Sequence, residues 1–467
     1  MDHIGESLQI IRVTTDENDG VISHGLELNE ENLAKILMHP DVKDNPVVIV
    51  SVAGAFRKGK SFLMGFFLQF FQTESEDYEW LHDEDVIEGF EWRGGSERVT
   101  SGIHIWSKPF IRENKCGEKV AILLMDTQGV FDSESTVKDC ASVFALSNLI
   151  SSVQIYNLMQ QLQENDLQHF EFFSEFGRLA VETSGETLAT RSRLIFLIRD
   201  WGVPYEYPYG KDGGSAYIAK KLKVHQSQHE EHQRLRRNLD ACFPDIGGFL
   251  LPHPGKVVVT SKTFNGKVKD IDEEFIQYVK EFVPYIVSRE KLVTKRINST
   301  DVKGEDLLNY IKAYVHSLKN EELPSPQTTF EATAAVGRRL AVNKALKLYT
   351  VGMKEVCDLP VGQFLHETEL RSKHEHYKAK AREALKDTPR MHVVEHEFEC
   401  KAQLDSQIEE AFNYFKSLIA QQNSNAILKQ MADAAIAAKR KAQAALAATG
   451  TAALTAGAAV VAFLIKR

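Results

Sequence analysis

The sequence predicts an α/β domain with a mixed, largely parallel sheet, followed by an all-α helical-bundle domain. The chain has 467 residues, which is more than a single hydrophobic core usually organises. Its first ~320 residues alternate short apolar runs with helical patterns, which is typical of α/β domains. Beyond a proline-containing stretch, three long segments have helical composition. Two domains of different class are therefore expected.

Composition and charge limit the classes of function. Apolar residues make up 43% of the chain and charged residues 26%, as in folded globular proteins. The net charge of −9 argues against a general nucleic-acid binder, so we expect no nucleic-acid partner. The cysteines are five and scattered, which indicates reduced thiols in a cytosolic compartment. His229 and His232 have no matching Cys or His pair at zinc spacing, so a solvated helix face is favoured over a metal site.

Four apolar runs in the first part are predicted to be buried central strands of a sheet. Each run ends in polar or glycine-containing sequence, and ligands bind at this carboxyl edge in parallel sheets. The runs are VVIVSVA (47–53), VAILLMD (120–126), RLIFLIRD (193–200) and GFLLP (248–252).

A phosphate-binding loop is predicted directly after the first of these strands. The stretch GAFRKGKS (54–61) fits the pattern G-x-x-x-x-G-K-[ST] and precedes an apolar helix. Glycines at both ends allow backbone N–H groups to surround phosphate oxygens, and the helix amino terminus adds a favourable dipole. Lys60 is expected to reach the β- and γ-phosphates, and Ser61 to hold Mg²⁺. The motif alone does not choose between ATP and GTP.

Two further stretches extend the predicted phosphate and magnesium site. Asp126 ends the second strand, where it is placed to bind a water on Mg²⁺, and the N–H of Gly129 is placed to contact the γ-phosphate. Thr100 lies between the loop and Asp126 in sequence, where a switch threonine that closes on Mg²⁺ is expected. A polar loop without such a role is the alternative for Thr100.

The base and the catalytic group are predicted from two other positions. Asp200 ends the third strand, where its carboxylate is suited to pair with the N–H donors of guanine; an ordinary strand-end salt bridge is the alternative. Val130 occupies the position after Gly129, where many GTPases carry a water-orienting glutamine. Arg57 is therefore the candidate for stabilising the transition state in cis. The alternative is that Arg57 points to solvent until something orders it, and the two interpretations are compatible at different stages of a cycle.

The second part of the chain is predicted to be helical. Pro324 and Pro326 indicate a stiff linker, and helical segments follow at about 327–357, 364–387 and 391–430. In the third segment Ile408, Phe412, Phe415 and Ile419 share one face, which indicates a bundle core rather than a partner-binding groove. Residues 444–465 carry no charge, and a helix of that length spans about 33 Å. Either a membrane-inserted tail or an alanine-rich helix end in water fits this composition.

Taken together, these stretches resemble the atlastins, GTPases of the dynamin superfamily. The likeness covers about residue 25 through the linker and, more loosely, the bundle. It is carried by SVAGAFRKGKSFLM, EGFEWRGGSERVTSGIHIW, LLMDTQGVFDS, SSVQIYNLMQQLQENDLQHF, LIRDWGVPYEY, FLLPHPG and ELPSPQ.

The resemblance implies roles for individual residues. It makes Arg57 the catalytic arginine in cis, Arg199 and Asp200 the pair that reads guanine, Val258 part of the loop that caps the base, and Arg93 a switch residue tied to dimer formation. The expected nucleotide-binding residues are Gly54, Arg57, Lys58, Gly59, Lys60, Ser61, Phe62, Gln128, Gly129, Arg199, Asp200 and Val258. The expected switch residues are Arg93 and Thr100, and the expected Mg²⁺ ligands are Ser61, Thr100 and Asp126.

The resemblance also implies an activity and a location. We expect a GTPase domain (1–319), a linker (320–328), a three-helix-bundle middle domain (329–422) and a juxtamembrane helix with an apolar tail (423–467). The expected protein hydrolyses GTP to GDP and forms a homodimer in trans across membranes. It tethers and fuses endoplasmic reticulum membranes, with its GTPase domain facing the cytosol. Atlastins carry a paired membrane hairpin, whereas this sequence has one weak apolar stretch, so fusion is less firmly implied than hydrolysis. The alternatives are a soluble guanylate-binding-type GTPase of defence or signalling, and a nucleotide-dependent tether without fusion activity.

Overall fold

The computed structural model describes residues 5–18, 21–55, 58–73, 80–92, 100–129, 137–172, 175, 192–297, 300–319, 325–360, 363–387 and 395–465. The chain divides into two compact units. The first comprises Met1–Arg338 with Pro389–Val393, and the second comprises Arg339–Thr388 with Val394–Arg467.

The first unit is built on a nine-stranded mixed sheet in the order β2-β1-β4-β6-β3-β7-β8-β9, with β5 paired to β6. Strands β6, β3, β7, β8 and β9 run parallel, whereas β1, β2, β4 and β5 pair antiparallel. The strands are β1 (Ser7–Asn18), β2 (Val21–Leu28), β3 (Val47–Gly54), β4 (Ile103–Trp106), β5 (Phe110–Glu113), β6 (Lys119–Thr127), β7 (Val153–Met159), β8 (Arg193–Arg199) and β9 (Asp245–Leu250). The fold class predicted from the sequence is confirmed.

Three of the predicted strands coincide with β3, β6 and β8, because continuous apolar runs fill the buried centre of a parallel sheet. The fourth was placed too late, since β9 begins at Asp245 and ends at Leu250. Strand β7 was not predicted, although it lies between β3 and β8. Gln154 and Asn157 interrupt its apolar pattern, and both side chains are fully buried.

Helices cover the sheet of the first unit. They are α1 (Glu30–Leu37), α2 (Pro40–Lys43), α3 (Lys60–Gln72), α4 (Val137–Ile150), α5 (Glu164–Gln168), α6 (Gly210–Leu222), α7 (Glu230–Cys242), α8 (Lys256–Thr260), α9 (Glu273–Val287) and α10 (Gly304–Lys319). A two-stranded sheet, β10 (Arg296–Ile297) with β11 (Thr300–Asp301), precedes α10. The apolar helix predicted after the loop is α3, and its residues Phe62–Leu68 are all buried as expected.

The amino edge of the parallel sheet holds a buried lysine. The Nζ of Lys295 donates to the carbonyl of Ser151 at 2.9 Å and lies 3.4 Å from the Oγ of Ser192. The Oγ of Ser192 also donates to the carbonyl of Ser151, at 2.9 Å. Complete burial lowers the pKa of the Lys295 ammonium to about 7. This edge lies at the starts of the parallel strands, away from the edge where the sequence places the site.

The five cysteines are free thiols, and they differ in exposure. Cys116 is exposed in the turn that joins β5 to β6. Cys140, Cys242, Cys357 and Cys400 are buried.

The second unit is helical. Its helices are α12 (Glu367–Asp387), the latter part of α11 (Pro326–Cys357), and α13 (Glu395–Ile465). Helix α11 begins at Pro326, inside the predicted linker, because proline is well suited to a first helical position. The four predicted face residues Ile408, Phe412, Phe415 and Ile419 are buried together in the core of this unit with Tyr349 and Met353.

The end of the chain differs from the sequence-based expectation. The helix predicted for 391–430 does not stop there, since α13 is 71 residues long and runs from Glu395 to Ile465. The basic cluster Lys439-Arg440-Lys441 does not interrupt it, because lysine and arginine are good helix formers. Within the part of the chain that the structure describes, no helix has both the length and the apolar character needed to cross a bilayer.

Candidate functional site

The predicted loop connects the end of β3 to the start of α3. Gly54 is the last residue of β3, with φ 143°, and a Cβ there would lie 2.2 Å from the carbonyl oxygen of Asn157 on β7. Gly59 precedes the helix in the left-handed region, with φ 69° and ψ 32°. Both positions therefore favour glycine. Phe56 and Arg57 lie outside the described residues, and so does Arg93.

The two described lysines of the loop, Lys58 and Lys60, make different hydrogen bonds, one through its backbone and the other through its side chain. Lys60 begins α3 and is 5% exposed, and its Nζ donates to the carbonyl of Ala55 at 3.1 Å. The ammonium group is thus folded back over the loop at the amino end of a helix. The backbone carbonyl of Lys58 accepts two hydrogen bonds from other strands, one from the Nδ2 of Asn157 at 2.8 Å and one from the guanidinium of Arg199.

Three oxygen-bearing side chains from different elements meet beside Lys60. The Oγ of Ser61 donates to the Oδ2 of Asp126 at 2.5 Å. The Oγ1 of Thr100 lies 3.1 Å from the Oγ of Ser61 and donates to the same Oδ2 at 3.3 Å. The register of the sheet explains the meeting, since Asp126 on β6 pairs with Val52 on β3, just ahead of the loop.

The carboxyl of Asp126 is 1% exposed, and its electrostatics are dominated by burial. Burial raises the pKa of Asp126, while the hydrogen bond from Ser61 and the charges of Lys60 and His104 oppose that rise. Burial also lowers the pKa of the neighbouring His104 imidazole. Among the described residues, the Oδ1 of Asp126 accepts no hydrogen bond.

This donor set fits a hard divalent cation. Two hydroxyls and a carboxylate with an unbonded oxygen are ligands of the kind Mg²⁺ accepts, with waters completing its shell. In the described part of the chain, no group of three or more His, Cys, Asp or Glu side chains suits a metal. A cation here would therefore depend on the hydroxyls of Ser61 and Thr100 as well as on Asp126.

Gln128 and Gly129 follow β6 at the same edge. Gln128 is 3% exposed and is locked to Gly102 by two hydrogen bonds. The side-chain Oε1 of Gln128 accepts from the backbone N–H of Gly102 at 2.7 Å, and the backbone N–H of Gln128 donates to the Gly102 carbonyl at 2.8 Å. This pairing joins the end of β6 to the segment that carries Thr100. Val130 lies outside the described residues.

Arg199 is the last residue of β8, and Asp200 follows it directly. The guanidinium of Arg199 reaches the loop: besides donating to the Lys58 carbonyl, it lies where a Cβ on Gly59 would approach its Nη1 to 2.4 Å. Burial lowers the pKa of Arg199, and the carboxylate of Asp200 opposes this. Asp200 adopts φ 55°, a strained conformation for a residue with a Cβ. Its Oδ1 lies 3.9 Å from the Nη2 of Arg199 and makes no hydrogen bond with any described group.

Two expected residues lie at the margin of this arrangement. The side chain of Phe62 is 9% exposed and packs edge-on against Trp92, with ring centroids 4.8 Å apart, so it belongs to the core. Val258 lies in the short helix α8, partly buried against the same core, while its neighbours Val257 and Val259 are 48% and 63% exposed. Helix α8 thus exposes Val257 and Val259 to solvent, next to the residue expected to cap the base.

Asn157 is a site residue that the sequence reasoning missed. It is completely buried at the end of β7, pairs with Gly54 in the sheet and donates to the loop through Lys58. The available signal was a polar residue near the end of the run VQIYNLM, by the same logic that selected Asp126. That signal was lost because β7 was not recognised as a strand.

Most of the chain is similar to known proteins. The family model described as "Guanylate-binding protein, N-terminal domain" matches residues 23–296, and "Guanylate-binding protein, C-terminal domain" matches 298–449. Atlastin-1 of Mus musculus is 47% identical over 392 residues, which covers 83% of this chain and 69% of that protein. Atlastin-3 of Homo sapiens is 44% identical over 413 residues, covering 87% and 74%. Atlastin-2 of Xenopus laevis is 45% identical over 395 residues, covering 84% and 68%.

Proposed function

Because this chain belongs to the atlastin family of dynamin-superfamily GTPases and hydrolyses GTP, we propose that it tethers and fuses membranes of the endoplasmic reticulum. In this proposal the GTP-loaded chains dimerise in trans across two membranes, with the GTPase domain in the cytosol. The result is a shaped tubular network.

The phosphates of GTP are proposed to lie in the loop between Gly54 and Ser61. The observation that carries this proposal is the convergence of Ser61, Thr100 and Asp126 beside the buried ammonium of Lys60. Mg²⁺, when bound to these oxygens, supplies charge neutralisation across the β- and γ-phosphates. The backbone amides at the start of α3 are proposed to bind the phosphates, and Lys60 is proposed to donate to them once it releases the Ala55 carbonyl.

Guanine is proposed to be read by Asp200. Its Oδ1 supports this role, because this carboxylate oxygen accepts no hydrogen bond from any described residue and is therefore suited to accept the N–H groups of the base. Arg199 is proposed to assist from the loop side, where its guanidinium holds Lys58, and Val258 to cap the base from α8. Gln128 and Gly129 are proposed to contact the γ-phosphate side.

Catalysis is proposed to depend on Arg57, with Arg93 acting in the switch that forms the dimer. Replacement of Arg57 with alanine is expected to reduce GTP hydrolysis roughly 10³-fold while GTP binding persists. Phosphate release and titration with a labelled GTP analogue measure the two quantities. Hydrolysis by Arg57→Ala at the parent rate would contradict the assignment.

Fusion is tested with the full chain in proteoliposomes. GTP-dependent lipid mixing supports the proposal, whereas vesicle clustering without mixing points to a tether that does not fuse. Neither clustering nor flotation with vesicles would instead indicate the soluble guanylate-binding-type GTPase. Guanine preference is tested separately, since displacement of the labelled GTP analogue by excess ATP would overturn the role of Asp200.

A further inference from the structure

The middle of helix α13 leaves its large apolar side chains uncovered. The core of the second unit ends near Ala426, which is 4% exposed, and every residue from 427 to 441 is exposed. We call residues 427–441 the exposed segment. It carries Ile427, Leu428, Met431 and Ile436, which are 50%, 64%, 65% and 51% exposed.

Helical spacing places most of these apolar residues on one side. At 3.6 residues per turn, Ile427, Leu428 and Met431 fall within an arc of about 120°, and three alanines complete it. These alanines are Ala434, Ala435 and Ala438. We call this arc the apolar face; Ile436 lies outside it.

Basic residues border this face on both sides. By the same spacing, Lys439 lies about 20° beyond one edge of the apolar face and Lys441 about 20° beyond the other. Lys429, Asp433 and Arg440 lie on the opposite side of the helix. Four basic residues and one acidic residue therefore stand in this segment, within a chain whose net charge is −9.

An apolar face bordered by lysines is suited to an anionic lipid surface. The apolar side chains enter the boundary between headgroups and acyl chains, while long lysine side chains extend sideways to the phosphates. Each basic residue at an anionic surface strengthens binding roughly fivefold. A second copy of the segment fits less well, because face-to-face packing would bring the bordering lysines of both copies together, and a face of three large side chains falls short of a standard interface.

We propose that the exposed segment lies in the plane of an anionic membrane surface, with its apolar face toward the acyl chains and Lys439 and Lys441 at the headgroups. This deepens the proposed membrane function and rests on it. The membrane contact is thereby assigned to the exposed segment, which precedes the uncharged residues 444–465 in the sequence.

The test uses the full chain and two kinds of vesicle, phosphatidylcholine alone and phosphatidylcholine with phosphatidylserine. Affinity for each is measured by vesicle titration, so that any binding by the last residues cancels in the ratio of the two. Lys439→Gln with Lys441→Gln is expected to reduce the preference for anionic vesicles about 25-fold. Leu428→Ser with Met431→Ser is expected to weaken binding to anionic vesicles at least tenfold.

Matched controls lie on the other side of the same helix. Ile436→Ser removes a large apolar side chain that is 51% exposed, and its binding to anionic vesicles is expected to stay within twofold of the parent. GTP hydrolysis without vesicles should be unchanged in all variants, which verifies their folding.

Three results would overturn the inference. If the paired variants and Ile436→Ser bind anionic vesicles as tightly as the parent, the segment is not the contact, although the proposed membrane function survives. If the parent binds neither kind of vesicle, the inference and the proposed membrane function are both wrong. If the Leu428 and Met431 changes abolish a concentration-dependent dimer in sedimentation instead, the face is covered by a second copy.

Discussion

Replacement of Gly59 with alanine tests how the loop is held. Gly59 has φ 69°, and an added Cβ would lie 2.4 Å from the Nη1 of Arg199. The change therefore has two separate energetic costs: the positive φ at residue 59 and the displacement of the Arg199 guanidinium.

The two penalties have different sizes. The left-handed conformation costs a residue with a Cβ about 1–2 kcal/mol. Displacing Arg199 also breaks its charged hydrogen bond to the Lys58 carbonyl, which is worth about 1.5–3 kcal/mol. If the loop relaxes away from its native shape to avoid both, GTP binding must restore that shape, and the arginine contribution alone weakens affinity roughly ten- to a hundredfold.

Gly117→Ala is the matched control. Gly117 has φ 79°, and a Cβ there meets nothing within 4 Å, so this variant bears the backbone penalty alone. Both variants should lose thermal stability, but only Gly59→Ala should lose affinity for a labelled GTP analogue. Equal affinities for the two variants would refute the role assigned to Arg199 and the loop geometry.

Other changes separate binding from stability. Asp126→Asn is expected to raise the Mg²⁺ concentration for half-maximal GTP hydrolysis at least tenfold. The melting temperature of the nucleotide-free protein should not fall, since burial already disfavours the Asp126 carboxylate. An unchanged Mg²⁺ requirement would contradict the cation site. Asn157→Ala and Gln154→Ala each remove buried hydrogen bonds of β7, and each should lower the free energy of unfolding by about 1–3 kcal/mol. Of the two, only Asn157→Ala should weaken GTP binding, because Asn157 contacts the loop and Gln154 does not. Similar affinities for both would remove Asn157 from the site. Lys295→Met is expected to be more stable than the parent near neutral pH, and this advantage should shrink by about 2 kcal/mol between about pH 7 and about pH 9. The sign follows because the folded lysine loses its proton at about 7 while the unfolded lysine keeps it to 10.5, so the parent gains stability as the pH rises. Urea midpoints at the two pH values measure the difference, and a constant difference would show that Lys295 titrates normally.

The sequence was most informative where structure is local. Strand β3 is eight buried residues directly before the loop, so its apolar run and the glycine spacing predict strand, turn and helix together. Strand β7 escaped because Gln154 and Asn157 look like surface residues in the sequence. Gln154 bonds to Ser147 and Ser151, which precede it by seven and three positions. Lys58, the partner of Asn157, lies 99 positions away in sequence, so only the fold brings these two residues together.

The site shows the same division. Lys60 and Ser61 follow from local spacing, and Asp126 follows from the rule that parallel strands end at one edge. The contact of Arg199 with Lys58 joins residues 141 positions apart, and no local pattern encodes it. The guanidinium of Arg199 donates to the loop, and an arginine at the end of a strand does not by itself predict this contact from the sequence.

The turn between β5 and β6 offers a practical consequence for spectroscopy. Of the five thiols only the one at Cys116 is exposed, so a maleimide dye should attach at a single place without prior cysteine replacement. Strand β6 then runs from that turn, and Asp126 lies about 23 Å along it from Lys119. A fluorophore at Cys116 therefore stays far from the edge proposed to bind GTP, and an emission change on adding GTP would report rearrangement of the protein rather than quenching by the ligand.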